Sequence, residues 1–214
     1  MVKLGNVFLL GDSYSTFLGH IPEGFACWYN LSPERDTDVD AVEQTWWHQL
    51  FSATDSNLIY NCSWSGSTVC HRGYNGNDVC HNSFVTRFDN MDKEGYFAQN
   101  PIDTFIIFGG TNDNWAQSPV GELMFEGWTK EKLYSALPAF CYLLHRVKGT
   151  LPNTRILWII NTELRPEIEN GIMDACAYYG VETIVLKDIA KQSGHPNQAG
   201  MEQIFQQVLA YLEE

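Results

Sequence analysis

Five short apolar runs punctuate the chain, at residues 6–10, 58–62, 104–108, 155–160 and 182–186. They are rich in Ile, Val, Leu and Phe and lack the polar alternation of a half-exposed strand, which suits strands covered on both faces. Between them, apolar residues recur at helical spacing. Val42, Trp46, Trp47, Leu50 and Phe51 form one such face, with Asp40 and Glu43 as a cap and return pair ahead of it. Trp46 and Trp47 fit that face as core side chains. A second pattern follows Thr129 through Leu133, Leu137, Phe140, Cys141, Leu144 and Val147 to Gly149, and Pro138 either kinks this helix or begins it. A third starts at Pro166, turns Ile168, Ile172 and Cys176 inward and closes at Gly180. The last follows Pro196 with Met201, Ile204, Phe205, Val208 and Leu212. Strands alternating with helices predict an α/β fold, a parallel sheet of about five strands with helices on both faces.

Three connections are long: residues 14–39, 66–101 and 113–128. Each follows a predicted strand end and is rich in Gly, Asn, His and aromatic residues, and long loops in a compact domain tend to be functional. Trp28, Tyr29, Tyr74, Trp115 and Trp128 lie in them. Such rings either stack on sugars and line an acyl pocket or anchor their own loops on the body.

Length and charge narrow the picture further. With 214 residues and no internal repeat, the chain reads as one domain, 1–214, able to bury a sizeable core without disulfides. Thirteen basic against twenty-six acidic residues give a formal charge of −13, so no nucleic acid and no anionic membrane surface is expected as a partner. No apolar run is long enough to cross a bilayer and no signal peptide is evident, which makes a cytoplasmic location the expectation. Of the six cysteines, Cys62, Cys141 and Cys176 sit in apolar patterns and read as buried thiols. Cys70-His71 and Cys80-His81 repeat at a spacing unlike that of a zinc site, and no metal is expected; a Cys70–Cys80 disulfide is an alternative in an exported protein.

Candidate chemistry gathers at the strand ends. The first run leads into Gly11-Asp12-Ser13, and in parallel sheets ligands gather at the carboxyl ends of the strands. Ser13 is either a helix cap or a nucleophile, and a serine nucleophile needs a base and oxyanion donors. Gly66, in Ser63-Trp64-Ser65-Gly66-Ser67-Thr68, can present a bare backbone N–H. Asn112, in Gly109-Gly110-Thr111-Asn112-Asp113, offers a side-chain amide. His195, in Gly194-His195-Pro196-Asn197, brings an imidazole just before the last helix. Asp12 and Asp113 flank these residues and fit braces of the turns better than chemical groups. Arg87 and Asp89 can pair to hold the second long loop; facing a pocket, Arg87 would instead point to an acidic substrate. His20, His48, His71, His81 and His145 fall outside any matching motif.

Taken together, the blocks around Ser13, Gly66, Asn112 and His195 resemble the SGNH hydrolases, also called the GDSL esterase/lipase family, and the likeness runs from Gly11 to Gly200. Tyr14 stands where the family's motif has Leu. The resemblance implies a three-layer α/β/α sandwich similar to flavodoxin and hydrolysis of a small-molecule ester of a lipid, simple alcohol or acylated sugar. It implies that Ser13 attacks, that His195 carries the proton, and that the Ser13 and Gly66 N–H groups with the Asn112 amide hold the oxyanion, with no cofactor. Where the family places Asp three residues before the His, this chain has Gln192. That leaves Gln192, Asp188 or a backbone carbonyl to orient the ring, and the expectation is a Ser-His dyad assisted by a neutral acceptor. The same departure admits a second class of function, a carbohydrate- or acyl-binding module with weak or lost catalysis. A nucleotide binder is disfavoured, because the first turn lacks a Gly-x-Gly-x-x-Gly phosphate loop.

Overall fold

The computed structural model describes residues 2–214. Five parallel strands form the sheet: β1 (Asn6–Gly11), β2 (Asn57–Ser63), β3 (Thr104–Phe108), β4 (Arg155–Ile160) and β5 (Glu182–Val185), in the order β2-β1-β3-β4-β5. Seven helices flank it, α1 (Trp46–Ala53), α2 (Phe84–Lys93), α3 (Tyr96–Gln99), α4 (Thr111–Trp115), α5 (Ala136–Thr150), α6 (Pro166–Tyr179) and α7 (Gln198–Glu213). A two-residue pair, β6 (Lys191–Gln192) with β7 (His195–Pro196), forms a small antiparallel hairpin before α7.

The unbroken apolar runs are explained by two separate cores. Successive side chains on a strand point to opposite faces. Phe8, Leu10, Phe105, Ile107, Trp158 and Ile160 pack with α2, α5 and α6 on one side, and Val7, Leu9, Ile106, Phe108, Leu157 and Ile159 pack with α1 and α7 on the other. Three layers result, as expected. Full burial of each such aliphatic or aromatic side chain contributes on the order of 2 kcal/mol, so the central strands β1 and β3, buried along almost their whole length, are the rigid part of the molecule.

Four expectations need correction. The helix near residue 42 begins at Trp46, capped by Thr45, whose hydroxyl accepts from the His48 N–H; residues Val42–Gln44 form a separate 3-10 turn. The return residue is Gln44, whose Oε1 accepts from the N–H groups of Asp40 and Ala41, and not Glu43. Pro138 stands in the first turn of α5, where its missing N–H costs nothing, so it begins that helix and Thr129 caps none of it. The segment 66–101 is no plain loop, because it carries α2 and α3; Ser83 caps α2 by accepting from the Thr86 N–H, while the polar Thr86, Asp89, Asn90 and Asp92 dilute its apolar stripe of Phe84, Val85 and Phe88.

Candidate active site

The sheet register brings three of the sequence blocks, those of Ser13, Gly66 and Asn112, to neighbouring strand ends. Gly11, the last residue of β1, pairs with Ser63 of β2 and with Phe108 of β3. A side chain at Gly11 has no room: a Cβ there would lie 2.4 Å from Ser63 Oγ. Immediately beyond, Asp12 Oδ1 accepts from the Tyr14 N–H at 3.0 Å and caps a single 3-10 turn, Ser13–Ser15. Ser13 is the first residue of that turn, so its own N–H has no partner within it. Its hydroxyl lies 2.9 Å from His195 Nε2. Two side chains 182 residues apart are thus in hydrogen-bond contact.

Two further donors stand beyond the neighbouring strands. Ser67 N–H closes a tight turn onto the Trp64 carbonyl, and Gly66, third in that turn, has φ 79°, which favours glycine. No atom comes within 4 Å of where its Cβ would be. Asn112 lies in the first turn of α4, directly after β3. Its Oδ1 accepts from the Tyr74 hydroxyl at 2.7 Å, while its buried Nδ2 has no partner among the described residues. A buried donor left unpaired costs about 1–3 kcal/mol, and such an orphan marks a place where a ligand oxygen would be welcome.

His195 sits in the hairpin, 7% exposed. Its Nδ1 is 3.2 Å from the Ser193 carbonyl, which can only accept; Nδ1 therefore carries the hydrogen and Nε2 is free to accept from Ser13. The neutral acceptor expected behind the ring is this backbone carbonyl. Gln192 turns its amide away to Asp36, and Asp188 lies exposed after β5. Trp28 stacks on the imidazole with ring centres 3.5 Å apart and planes 9° from parallel, and Trp115 and Tyr14 approach at 5.7 Å and 5.5 Å. Burial, reinforced by the positive charges of Arg35 and Lys191, pushes the ring's pKa down to about 4.

Three buried ionisable groups, Arg87, Asp12 and Asp113, lie beside these strand ends. Arg87 donates to the carbonyls of Gly11 and Cys62 and to Ser67 Oγ, tying the ends of β1 and β2 together. Asp113 accepts from the Val69 and Cys70 N–H groups at 2.8 and 3.1 Å and so holds the segment after Gly66 against α4. Burial raises the Asp113 carboxyl and pushes that of Asp12 up to about 7. Both aspartates brace turns, as expected. The proposed Arg87–Asp89 pair does not form: Arg87 is held by backbone oxygens, and Asp89 pairs with Arg146 at 2.9 Å.

Of the loop aromatics, Trp28, Trp115 and Tyr74 reach the site, whereas Trp128 packs on Tyr142 and His145 and anchors its own loop. Tyr29 is buried and donates to the Pro196 carbonyl at 2.8 Å. All six cysteines are free, and Cys62, Cys70, Cys141 and Cys176 are buried. Among the described residues no group of His, Cys, Asp or Glu is arranged to hold a metal ion. Sequence reasoning passed over Asp36 and Ser193. Their signal was faint: a Ser-Gly pair flanked by residues able to form a hairpin.

Residues 5–212 match the family model of the GDSL-like lipases/acylhydrolases, and the chain belongs to that family of ester hydrolases. It is 42% identical to a protein of Bacteroides ovatus provisionally named a GDSL-like lipase, over 99% of both chains, with a TM-score of 0.92. A protein of Bacteroides uniformis with the same provisional name is 44% identical over 98% of this chain and 95% of its own, with a TM-score of 0.90. An acetyl xylan esterase from the rumen bacterium Butyrivibrio proteoclasticus shares the fold, at 19% identity and a TM-score of 0.59 over 100% of this chain and 64% of its own. No curated protein matches the chain.

Proposed function

We propose that the protein is a serine esterase that cleaves a short acyl group from a small or carbohydrate-linked ester through a Ser-His dyad. The observation that carries this is the 2.9 Å contact between Ser13 Oγ and His195 Nε2, with the ring's other nitrogen committed to a carbonyl. Ser13 attacks the acyl carbon as its proton passes to Nε2. The carbonyl oxygen of the ester becomes an oxyanion that accepts hydrogen bonds from the Ser13 and Gly66 N–H groups and from Asn112 Nδ2. Collapse of this intermediate expels the alcohol, which takes the proton back from His195, and a water molecule then repeats the sequence on the acyl-serine. The cycle calls on no metal or organic group.

The imidazolium formed on the way has no carboxylate against it. The Ser193 carbonyl and the face of Trp28 take that place, since an indole face attracts a cation. Ser13 is only 2% exposed and its partner His195 is flanked by the rings of Trp28, Trp115 and Tyr14, which favours a short acyl chain, and the half-exposed Tyr74 and Trp115 offer faces for a sugar ring. The acetyl xylan esterase among the fold relatives is in keeping with that substrate class.

Turnover of p-nitrophenyl acetate, decreasing with longer acyl chains, together with fluorophosphonate labelling of the wild type and of neither Ser13→Ala nor His195→Ala, is the expected result. A folded wild type that neither hydrolyses nor labels would remove the proposal. Glycan binding that survived Ser13→Ala without any hydrolysis would favour a binding module on the same fold.

A further inference from the structure

We propose that Asp36 is the carboxylate that positions His195, acting through the hairpin turn instead of through the ring. The proposal rests on the reading of Ser13 and His195 as nucleophile and base. Gln192 and His195 face each other across the connection Ser193-Gly194. Both connecting residues have positive φ, 49° at Ser193 and 78° at Gly194, as two-residue hairpin turns of the tightest kind require. Glycine adopts such angles freely; serine does so at a cost. This turn carries the Ser193 carbonyl that holds His195 Nδ1 at 3.2 Å, so the ring's orientation depends on a backbone conformation that residue 193 by itself resists.

Two groups hold the turn: the Tyr14 hydroxyl donates to the Gly194 carbonyl at 2.7 Å, and Asp36 holds Ser193, the residue with the unfavourable φ. One oxygen of Asp36 accepts from Ser193 Oγ at 2.6 Å and the other from the Gln192 amide. Gln192, the residue found where the family places its aspartate, thereby connects the hairpin to a carboxylate on the first long loop. The same loop is fastened around the base at further points, among them the Tyr29 hydroxyl on the Pro196 carbonyl. Trp28 stacks on His195 with the Arg35 guanidinium 4.5 Å from the indole centre, and Asp38 Oδ1 accepts from the Gln198 N–H at 2.8 Å, at the start of α7. Asp36 is exposed, so water screens its charge. It acts as an acceptor that fixes geometry. Asparagine at 36 keeps an oxygen for Gln192 and can donate to Ser193 Oγ, and should replace it.

The test compares Asp36→Ala, Asp36→Asn and the double variant Asp36→Ala/Ser193→Asn by steady-state hydrolysis of p-nitrophenyl acetate and by the proton NMR signal of the His195 Nδ1–H, assigned with His195→Ala. Asp36→Ala should lower kcat about tenfold with KM changed by less than about twofold, and Asp36→Asn should stay within about threefold of wild type. Asp36→Ala should also weaken the Nδ1–H signal through exchange with solvent. Ser193→Asn, a residue that accepts positive φ, should restore both kcat and signal in the alanine background. Unchanged kcat and signal in Asp36→Ala, a loss expressed in KM, or a loss that Ser193→Asn does not restore would each overturn the proposal. The NMR signal does not depend on turnover: a protein without esterase activity whose signal still follows Asp36 would refute the functional reading alone.

Discussion

The two halves of the site are built in different ways. Ser13, Gly66 and Asn112 stand just past the ends of strands β1, β2 and β3, beside the buried Arg87, Asp12 and Asp113, which hydrogen-bond to the backbone around them. His195 stands on a two-residue hairpin held by the first long loop, through the stacked Trp28, the exposed Asp36 and the buried hydroxyls of Tyr14 and Tyr29. The half proposed to hold the oxyanion is therefore tied into the buried core of the sheet. The base side can be disturbed locally. Substitutions under the first half should cost stability as well as rate, and substitutions around the second should cost rate alone.

The sharpest probe of the core-mounted half is Asn112→Ala, which should lower kcat about 100- to 1000-fold with little effect on KM, measured on p-nitrophenyl acetate, because it removes an oxyanion donor. Arg87→Met should destabilise the fold by about 3 kcal/mol, read as a lower midpoint in urea, since it leaves the Gly11 and Cys62 carbonyls and Ser67 Oγ without their donor. A normal midpoint with reduced activity would erase the distinction between the halves.

The base side is tested by pH. An ordinary imidazole takes up its proton near pH 6.5, whereas burial holds His195 neutral down to about 4. The proposed reaction needs the neutral ring, so kcat/KM should rise with pH through about 4 and be level from about 5 to 7. Because the folded pKa lies below the unfolded one, the stability linked to His195 is complete above about 6.5 and is lost as pH falls from there toward 4. A kinetic limb near 6.5 would mean that the ring is solvated when substrate binds. The smallest effect is expected from Tyr74→Phe, about fivefold in kcat, because Asn112 keeps its place on α4 and loses only the bond that orients its amide.

Much of this was legible in the residues. Continuous apolar runs with no polar alternation are compatible with few arrangements other than strands covered on both sides, and all five runs became strands within a residue or so of their expected ends. The helix α2 was not legible, because its buried stripe is interrupted by polar residues that face solvent or its neighbours. Arg87 was read as a loop tie for a similar reason: its partners are backbone carbonyls, and backbone carbonyls leave no mark in a sequence.

By itself, then, the sequence determined the parallel sheet and the placement of a hydroxyl, a bare N–H and an amide each a few residues past a strand, with an imidazole just before the last helix, since strand length and turn residues are local properties. What stands behind the imidazole was decided only by the tertiary structure. Gln192 could have faced the ring, and it faces Asp36 instead, because the path of a loop 156 residues away brings a carboxylate within reach of it. Contacts of that range are set by how whole layers pack, and no spacing along the chain encodes them.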